Sequence, residues 1–330
     1  MNIETHFFHD LQAQNLIPEQ SRLLVACSGG PDSTALFHLL RAAARTGRYR
    51  LALVHLNHGL RKRGAQRDER FVRDLGKRFD VPVFSGRKKI TAEKERHESW
   101  EEAARRVRYD FITRVAKRRR YKIVVLGHTQ DDQAETVLMR LFQGSGLRGL
   151  SGIRASLKRD GVTYVRPLLN FTKKNLIAYL KDKRYSYCRD GSNQSKRFVR
   201  NRVRLDFLPW IAREINPRIV ETLARVPKIV GEENEMIRDL EARAWKKVLK
   251  RGGRGKLSLH RDLFSKMPGP LQFRILDRAL KRLDVRSGAA FDSWQNLRRQ
   301  LARRHYKQTF PRNIEFCLTP GALTLYRRTA

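Results

Sequence analysis

Short apolar runs alternate with helically spaced apolar positions over the first two thirds of the chain. Leu23 to Cys27 is a continuous apolar run of strand length, and Leu36, Leu39, Leu40 and Ala43 follow at helical spacing. Further strand-like runs lie at 50–56, 81–84, 121–127 and 162–169, with Pro82 pointing to an edge position for the second of these. Helices are predicted between them. Residues 1–20 hold a short one, and Phe71, Val72, Leu75 and Phe79 mark one face of another. Ser99 with Glu102 forms a capping box for a third, which should bury Trp100, Ala103, Val107, Phe111 and Val115 and carry Arg105, Arg106, Arg108 and Tyr109 on its other side. Thr172 caps a helix that runs to Tyr185. This alternation predicts an α/β fold, a doubly wound and mainly parallel sheet, over residues 1–215.

Leu208-Pro209 and Asn216-Pro217 break regular structure and set the predicted border. Residues 216–330 read as a smaller α+β domain. It starts with a helical stretch over about 218–251, with a break expected at 227–231, and Gly252, Gly253 and Gly255 form a flexible joint. Helices at 271–283 and 291–304 and strands at 314–318 and 322–326 complete it.

Charge changes the picture. Lys and Arg number 71 against 33 Asp and Glu, a formal net charge of +38, while 40% of the residues are hydrophobic. A folded chain with that excess is expected to handle a polyanion. No run reaches the roughly eighteen apolar residues of a membrane span, and Met1–Asp10 does not read as a signal peptide, so no membrane role is expected. Cys27, Cys188 and Cys317 are far apart and form no C-x-x-C pair. That disfavours zinc, iron–sulfur ligation and a disulfide framework, and suits a reducing cytoplasm.

Candidate chemistry concentrates between the strands and the helices that follow them. Ser28-Gly29-Gly30-Pro31-Asp32-Ser33 joins the first strand to its helix. A glycine turn there leaves backbone N–H groups unpaired at the positive end of a helix, a site for phosphate. The string could also serve only as a capped turn. It lacks the Lys-Ser/Thr of the Walker loop and the G-x-G-x-x-G of dinucleotide folds. Asp32 beside a phosphate cradle implies an intervening cation, Mg²⁺. His55 and His128 end strands at the sheet edge where such folds bind ligands. Asp132 and Glu135 are three apart at the start of a helix, where they could hold Mg²⁺ or an ammonium group, or merely favour the helix dipole. Gly144 to Leu150 reads as a glycine-rich mobile loop, and Arg200 to Arg204 as a basic run.

The order of these strings is more specific than any one of them. S-G-G-x-D-S, H-x-N-H-G-L-R, A-R-x-x-R-Y, G-H-x-x-D-D-Q-x-E-T, G-S-G-L-x-G-L, R-P-L, D-x-S-N, R-N-x-x-R and L-P follow one another between residues 20 and 217. The series resembles the bacterial tRNA(Ile)-lysidine synthetases of the N-type ATP pyrophosphatase (PP-loop) superfamily, in a short form without the second C-terminal domain. The resemblance implies the adenine-nucleotide α-hydrolase-like fold. It also implies a two-step reaction at the wobble cytidine of a CAU-anticodon tRNA(Ile). ATP adenylates O2 of the base with loss of PPi, and the ε-amine of free lysine then attacks C2 and expels AMP. Under that reading Ser28, Gly29, Gly30, Pro31 and Ser33 cradle ATP, Asp32 binds Mg²⁺, and Arg108 faces the α-phosphate. His55 and His128 contact nucleotide or base. Asp132 and Glu135 bind lysine and take its proton, with Asp190 nearby. Arg200 and Arg204 hold RNA phosphates, and a homodimer is admissible. The rivals are a PP-loop tRNA thiolase, an amidotransferase-linked synthetase and a non-catalytic tRNA-binding protein.

Overall fold

The computed structural model describes residues 2–45, 47–57, 62–88, 90–95, 98–188, 196, 198–253, 255–283, 291–310 and 314–327. Its contacts divide the chain into two compact units, Met1–Val230 and Gly231–Ala330. The division falls inside a helix rather than at the proline-marked turns where the sequence suggested a border.

In the first unit, β1 (Ser21–Ala26) lies within a six-stranded sheet. The others are β2 (Tyr49–Asn57), β3 (Val83–Arg87), β4 (Ile123–Val125), β5 (Ser156–Arg159) and β6 (Val162–Val165), in the order β3-β2-β1-β4-β6-β5. All pairings are parallel except β5 on β6. The strands alternate between two apolar layers. Leu23, Val25, Leu53, Val125 and Val165 join one core with α1 (Ile3–Ala13), α2 (Pro31–Ala44) and α8 (Lys173–Asp182). Leu24, Ala52, Val54, Val124 and Tyr164 join the other with α5 (Trp100–Arg118). A side-chain period of two with both faces covered makes the runs read as continuously apolar. Each fully buried Leu or Val contributes about 1.5–3 kcal/mol. Between these elements lie α3 (Lys62–Arg78), α4 (Ile90–Glu93), α6 (Gln130–Phe142) and α7 (Leu147–Leu150). After α8, α9 (Val199–Arg202) passes through a π turn, Val203–Phe207, into α10 (Leu208–Glu214).

The predicted edge strand with Pro82 is indeed the edge, β3. Other expectations are corrected. Trp100 is 41% exposed, with the Lys94 ammonium over its ring, because it sits in the first turn of α5 ahead of the packed stretch. Tyr109, assigned to the charged side, is buried against Tyr164, and its hydroxyl accepts from Arg166. Gly146-Leu147 opens the short helix α7 inside the glycine-rich loop.

The helix α11 (Ile219–Val248) runs unbroken through Pro227, which withholds only the one N–H that Leu223 would have accepted. In the second unit the chain forms β7 (Leu249–Gly253), β8 (Lys256–His260), α12 (Arg261–Ser265), α13 (Gly269–Arg282), α14 (Phe291–Gln300), β9 (Tyr306–Phe310), β10 (Ile314–Thr319) and β11 (Ala322–Arg327). The sheet order is β7-β8-β11-β10-β9, wholly antiparallel. Gly252 and Gly253, expected in a joint, are ladder residues, and Gly255 takes the positive φ of the hairpin turn. Leu257, Leu259, Phe264, Ile275, Leu276, Phe316 and Leu325 form the core of this unit.

Candidate functional site

The site is built where the strands of the first sheet end. Between β1 and β4 the strand order reverses, which opens a crevice at their carboxyl ends. The turn from β1 into α2 lines it. Gly29 has φ +89°, and its carbonyl accepts from Cys188 N (2.8 Å) and Thr34 Oγ1 (3.3 Å). Ser33 Oγ accepts from Ser28 N at 3.1 Å, lies 3.1 Å from Ser28 Oγ, and donates to the Gly30 carbonyl at 3.2 Å. The loop is thus braced by its own serines. Pro31 opens α2 without an N–H to lose, and the first-turn N–H groups of Asp32 and Ser33 have no intrahelical acceptor. Gly127, after β4, presses on this turn: a Cβ there would come within 3.3 Å of the Asp32 carbonyl and Ser33 Cα.

Asp32 is the first unusual group. Burial, with the Asp132 charge adding to it, pushes its carboxyl up to about 6 against the pull of Lys173. Its Oδ2 lies 3.5 Å from Lys173 Nζ, while the buried Oδ1 has no partner among the described residues. Lys173 escaped the sequence reading. Its only signal was its place directly after the Thr172 cap.

Across the crevice, α6 presents a charged cluster. Thr129 and Asp132 form a capping box: Asp132 Oδ2 accepts from Thr129 N at 2.9 Å. Asp132 Oδ1 takes Arg200 Nη2 at 2.9 Å and Arg204 Nη2 at 3.3 Å. Glu135, fully buried, accepts from Arg200 Nε at 2.7 Å and from Arg204 Nε at 2.5 Å. Although burial raises the Asp132 carboxyl, the Arg200 guanidinium, the Thr129 N–H and Arg204 outweigh it and hold the group below its usual range. Two carboxylates and two guanidiniums here neutralise one another. The sequence reading had placed the acids and the arginines in separate tasks; the fold brings them into contact.

A cavity of about 720 Å³ joins these parts. Ser28, Gly30, Pro31, Asp32, Ser33, His55, Arg108, His128, Asp132, Arg200 and Arg204 all line it, as do Lys173, Arg105 and Asn57. Gly29 and the buried Glu135 are not among the lining residues, and Asp190 falls outside the described residues. His58, the second histidine of the H-x-N-H-G-L-R string, lies outside them as well. Burial, with Arg105 and Arg200 nearby, lowers the Arg108 guanidinium from its ordinary value. Since arginine keeps its proton in proteins, this marks a cation short of counter-charge, facing the cavity. Burial also pulls His128 down to about 3, so its ring is neutral. The volume suits a nucleotide. Among the described residues no group of three or more His, Cys, Asp or Glu could hold a metal ion. Asp32, with its bare Oδ1, is a lining carboxylate with an oxygen left over for a cation.

Residues 3–211 match the PP-loop domain family. A tRNA(Ile)-lysidine synthase of Chlorobaculum tepidum is 38% identical over 238 residues, covering 71% of this chain and 70% of that protein. The tRNA(Ile)-lysidine synthase of Symbiobacterium thermophilum is 34% identical over 275 residues, covering 82% of this chain and 56% of the relative. The chain thus spans about half the length of that relative. Among solved structures, the U34-tRNA thiolase NcsA of Methanococcus maripaludis with its [4Fe-4S] cluster shares the fold, with a TM-score of 0.58 at 16% identity, over 69% of this chain and 78% of that one.

Proposed function

The chain belongs to the tRNA(Ile)-lysidine synthase family of PP-loop proteins, and from that premise we propose that it ligates lysine to C2 of the wobble cytidine of a CAU-anticodon tRNA(Ile). ATP is consumed to AMP and PPi, and the setting is the cytoplasm, where that RNA is found. The observation that carries the reading is that Asp32, Arg108 and Asp132 line a single cavity that also takes in the serine-braced glycine turn.

In this mechanism the N–H groups at the start of α2, with Ser28 and Ser33, hold the phosphates and turn the α-phosphorus toward the incoming base. Asp32, whose buried Oδ1 has no partner among the described residues, would hold a Mg²⁺, and that ion would offset negative charge on the departing pyrophosphate. Lys173 supports the same phosphates from α8. Arg108 faces the α-phosphate and stabilises the charge there as cytosine O2 attacks. A cytosine O2 is a poor leaving group; as a phosphoryl ester it departs with AMP when the lysine ε-amine adds to C2.

Asp132 and Glu135 receive the lysine. Both are engaged by Arg200 and Arg204. A phosphate of the nucleotide or of the RNA that draws a guanidinium toward itself frees a carboxylate oxygen for the lysine ammonium, and that carboxylate can then accept the proton the amine loses. The excess of basic residues supplies the long-range attraction for RNA. Incubation with ATP, lysine and a CAU-anticodon transcript, followed by mass spectrometry of the nucleosides, tests the reading: lysidine is expected, with one PPi per modified base. PPi release without lysidine, or thiolated product with a sulfur donor, overturns it.

A further inference from the structure

His55 carries an unspent acceptor. It ends the buried part of β2 and is 5% exposed. Its Nδ1 lies 2.8 Å from the Cys27 carbonyl oxygen. A carbonyl can only accept, so Nδ1 bears the proton and Nε2 has a bare lone pair. Among the described residues that Nε2 is buried without a partner, and the residue lines the cavity. Burial disfavours the charged ring, so the lone pair stays available at neutral pH. Leaving such an acceptor dry is unfavourable unless a ligand brings a donor.

Two features of the site decide which part of a ligand that is. The phosphate-directed groups, Asp32, Arg108 and Lys173, are all charged, whereas Val54, Leu56 and Ile112, which line the cavity with His55, are buried and apolar. Phosphate oxygens carry no proton to give and belong with the charges. A flat heterocycle belongs with the apolar side chains. Resting on the ATP reading above, we infer that His55 selects the nucleotide base, its Nε2 accepting a hydrogen bond from the 6-amino group of adenine. Guanine presents a carbonyl oxygen at that position, so acceptor would meet acceptor, and GTP is excluded by the same lone pair.

Equilibrium binding to the full chain tests this, with ATP, purine riboside triphosphate (which lacks the 6-amino group), 2′-deoxyATP and 3′-deoxyATP. In the unaltered protein, loss of the 6-amino group should weaken binding about tenfold, and loss of either hydroxyl should have a smaller effect. His55→Phe should bind ATP and the 6-unsubstituted analogue alike. His55→Asn can keep the bond to the Cys27 carbonyl, so it serves if the Phe variant fails to fold. In the native chain, the ¹⁵N signal of His55 Nε2 should shift when ATP is added and stay put with the analogue. Equal affinities for ATP and the analogue in the native protein overturn the inference, as does a coupling that appears with a ribose hydroxyl instead. If the native chain binds no nucleotide at all, the functional reading itself fails, a result distinct from either of these.

Discussion

Replacing Asp32 with Asn should make the protein more stable and remove its activity together. Asp32 is held at about 6 in the folded chain against 3.8 for the ordinary carboxyl, chiefly by burial. The folded state therefore binds its proton more tightly than the unfolded state. Between about pH 4 and 6 the unfolded chain has lost that proton while the folded chain still holds it, so stability falls as pH rises through this window and levels off above it. A difference of about two units is worth about 3 kcal/mol at neutral pH. Asp32→Asn removes that penalty while keeping the shape and one acceptor oxygen. The gain should approach 3 kcal/mol at pH 7 and shrink to about half of that at pH 5. For a chain of this size that is a rise in melting temperature of about 4 °C at pH 7. Thermal unfolding of both proteins between pH 5 and 8, without nucleotide or metal, measures it, and pyrophosphate release measures the lost activity. Equal melting temperatures at pH 7, or a difference that does not narrow toward pH 5, would refute the idea that Asp32 is a strained, ligand-directed carboxylate.

Arg204→Ala leaves the fully buried Glu135 with Arg200 as its one cationic partner among the described residues, and should destabilise the chain by about 2–3 kcal/mol in chemical denaturation. Arg204→Lys keeps the charge but not the fork, and should recover only part of the loss. If Arg200 and Arg204 also reach RNA phosphates, the double alanine variant should weaken tRNA binding and flatten its dependence on salt by one to two contacts; an unchanged slope would place them off the RNA. Gly127→Ala puts a methyl against the backbone of Asp32 and Ser33; a several-fold loss of ATP affinity is expected with little change in melting temperature, and an unchanged affinity would show that the turn has room to give. Arg108→Ala should lower the rate of adenylation about a hundredfold while ATP still binds, as single-turnover quench experiments would report.

The first unit was legible because its signals are local. Continuous apolar runs, a glycine turn and capping residues each act within a few positions, and the sheet that results is the doubly wound one the alternation implied. Pairing between distant residues left no such trace. Nothing in the spacing of Arg200 and Asp132 says that they touch, and the shared interest of acids and arginines in one cluster emerged only from the fold. The strands that were missed are polar or short: β5 is exposed at every position, β7 reads Leu-Lys-Arg-Gly-Gly, and β8 and β9 are five residues each. Their stability comes from a partner strand, and hairpin geometry can override composition when a ladder is available. Tyr109 was assigned by its neighbours to the solvent face, yet a buried arginine, Arg166, satisfies its hydroxyl and lets the ring go in.

One hydrogen bond outside the cavity has mechanical weight. The backbone N–H of Lys173 is capped by Asp131 Oδ2 at 2.7 Å, so the first turn of α8 is fastened to the first turn of α6. Asp131 is the neighbour of Asp132, and Lys173 reaches Asp32. A tilt of α6 that accompanies rearrangement around its acids would tug on the ammonium poised over the other carboxylate. Whatever occupies one end of the crevice can in this way be felt at the opposite end, without any loop having to swing.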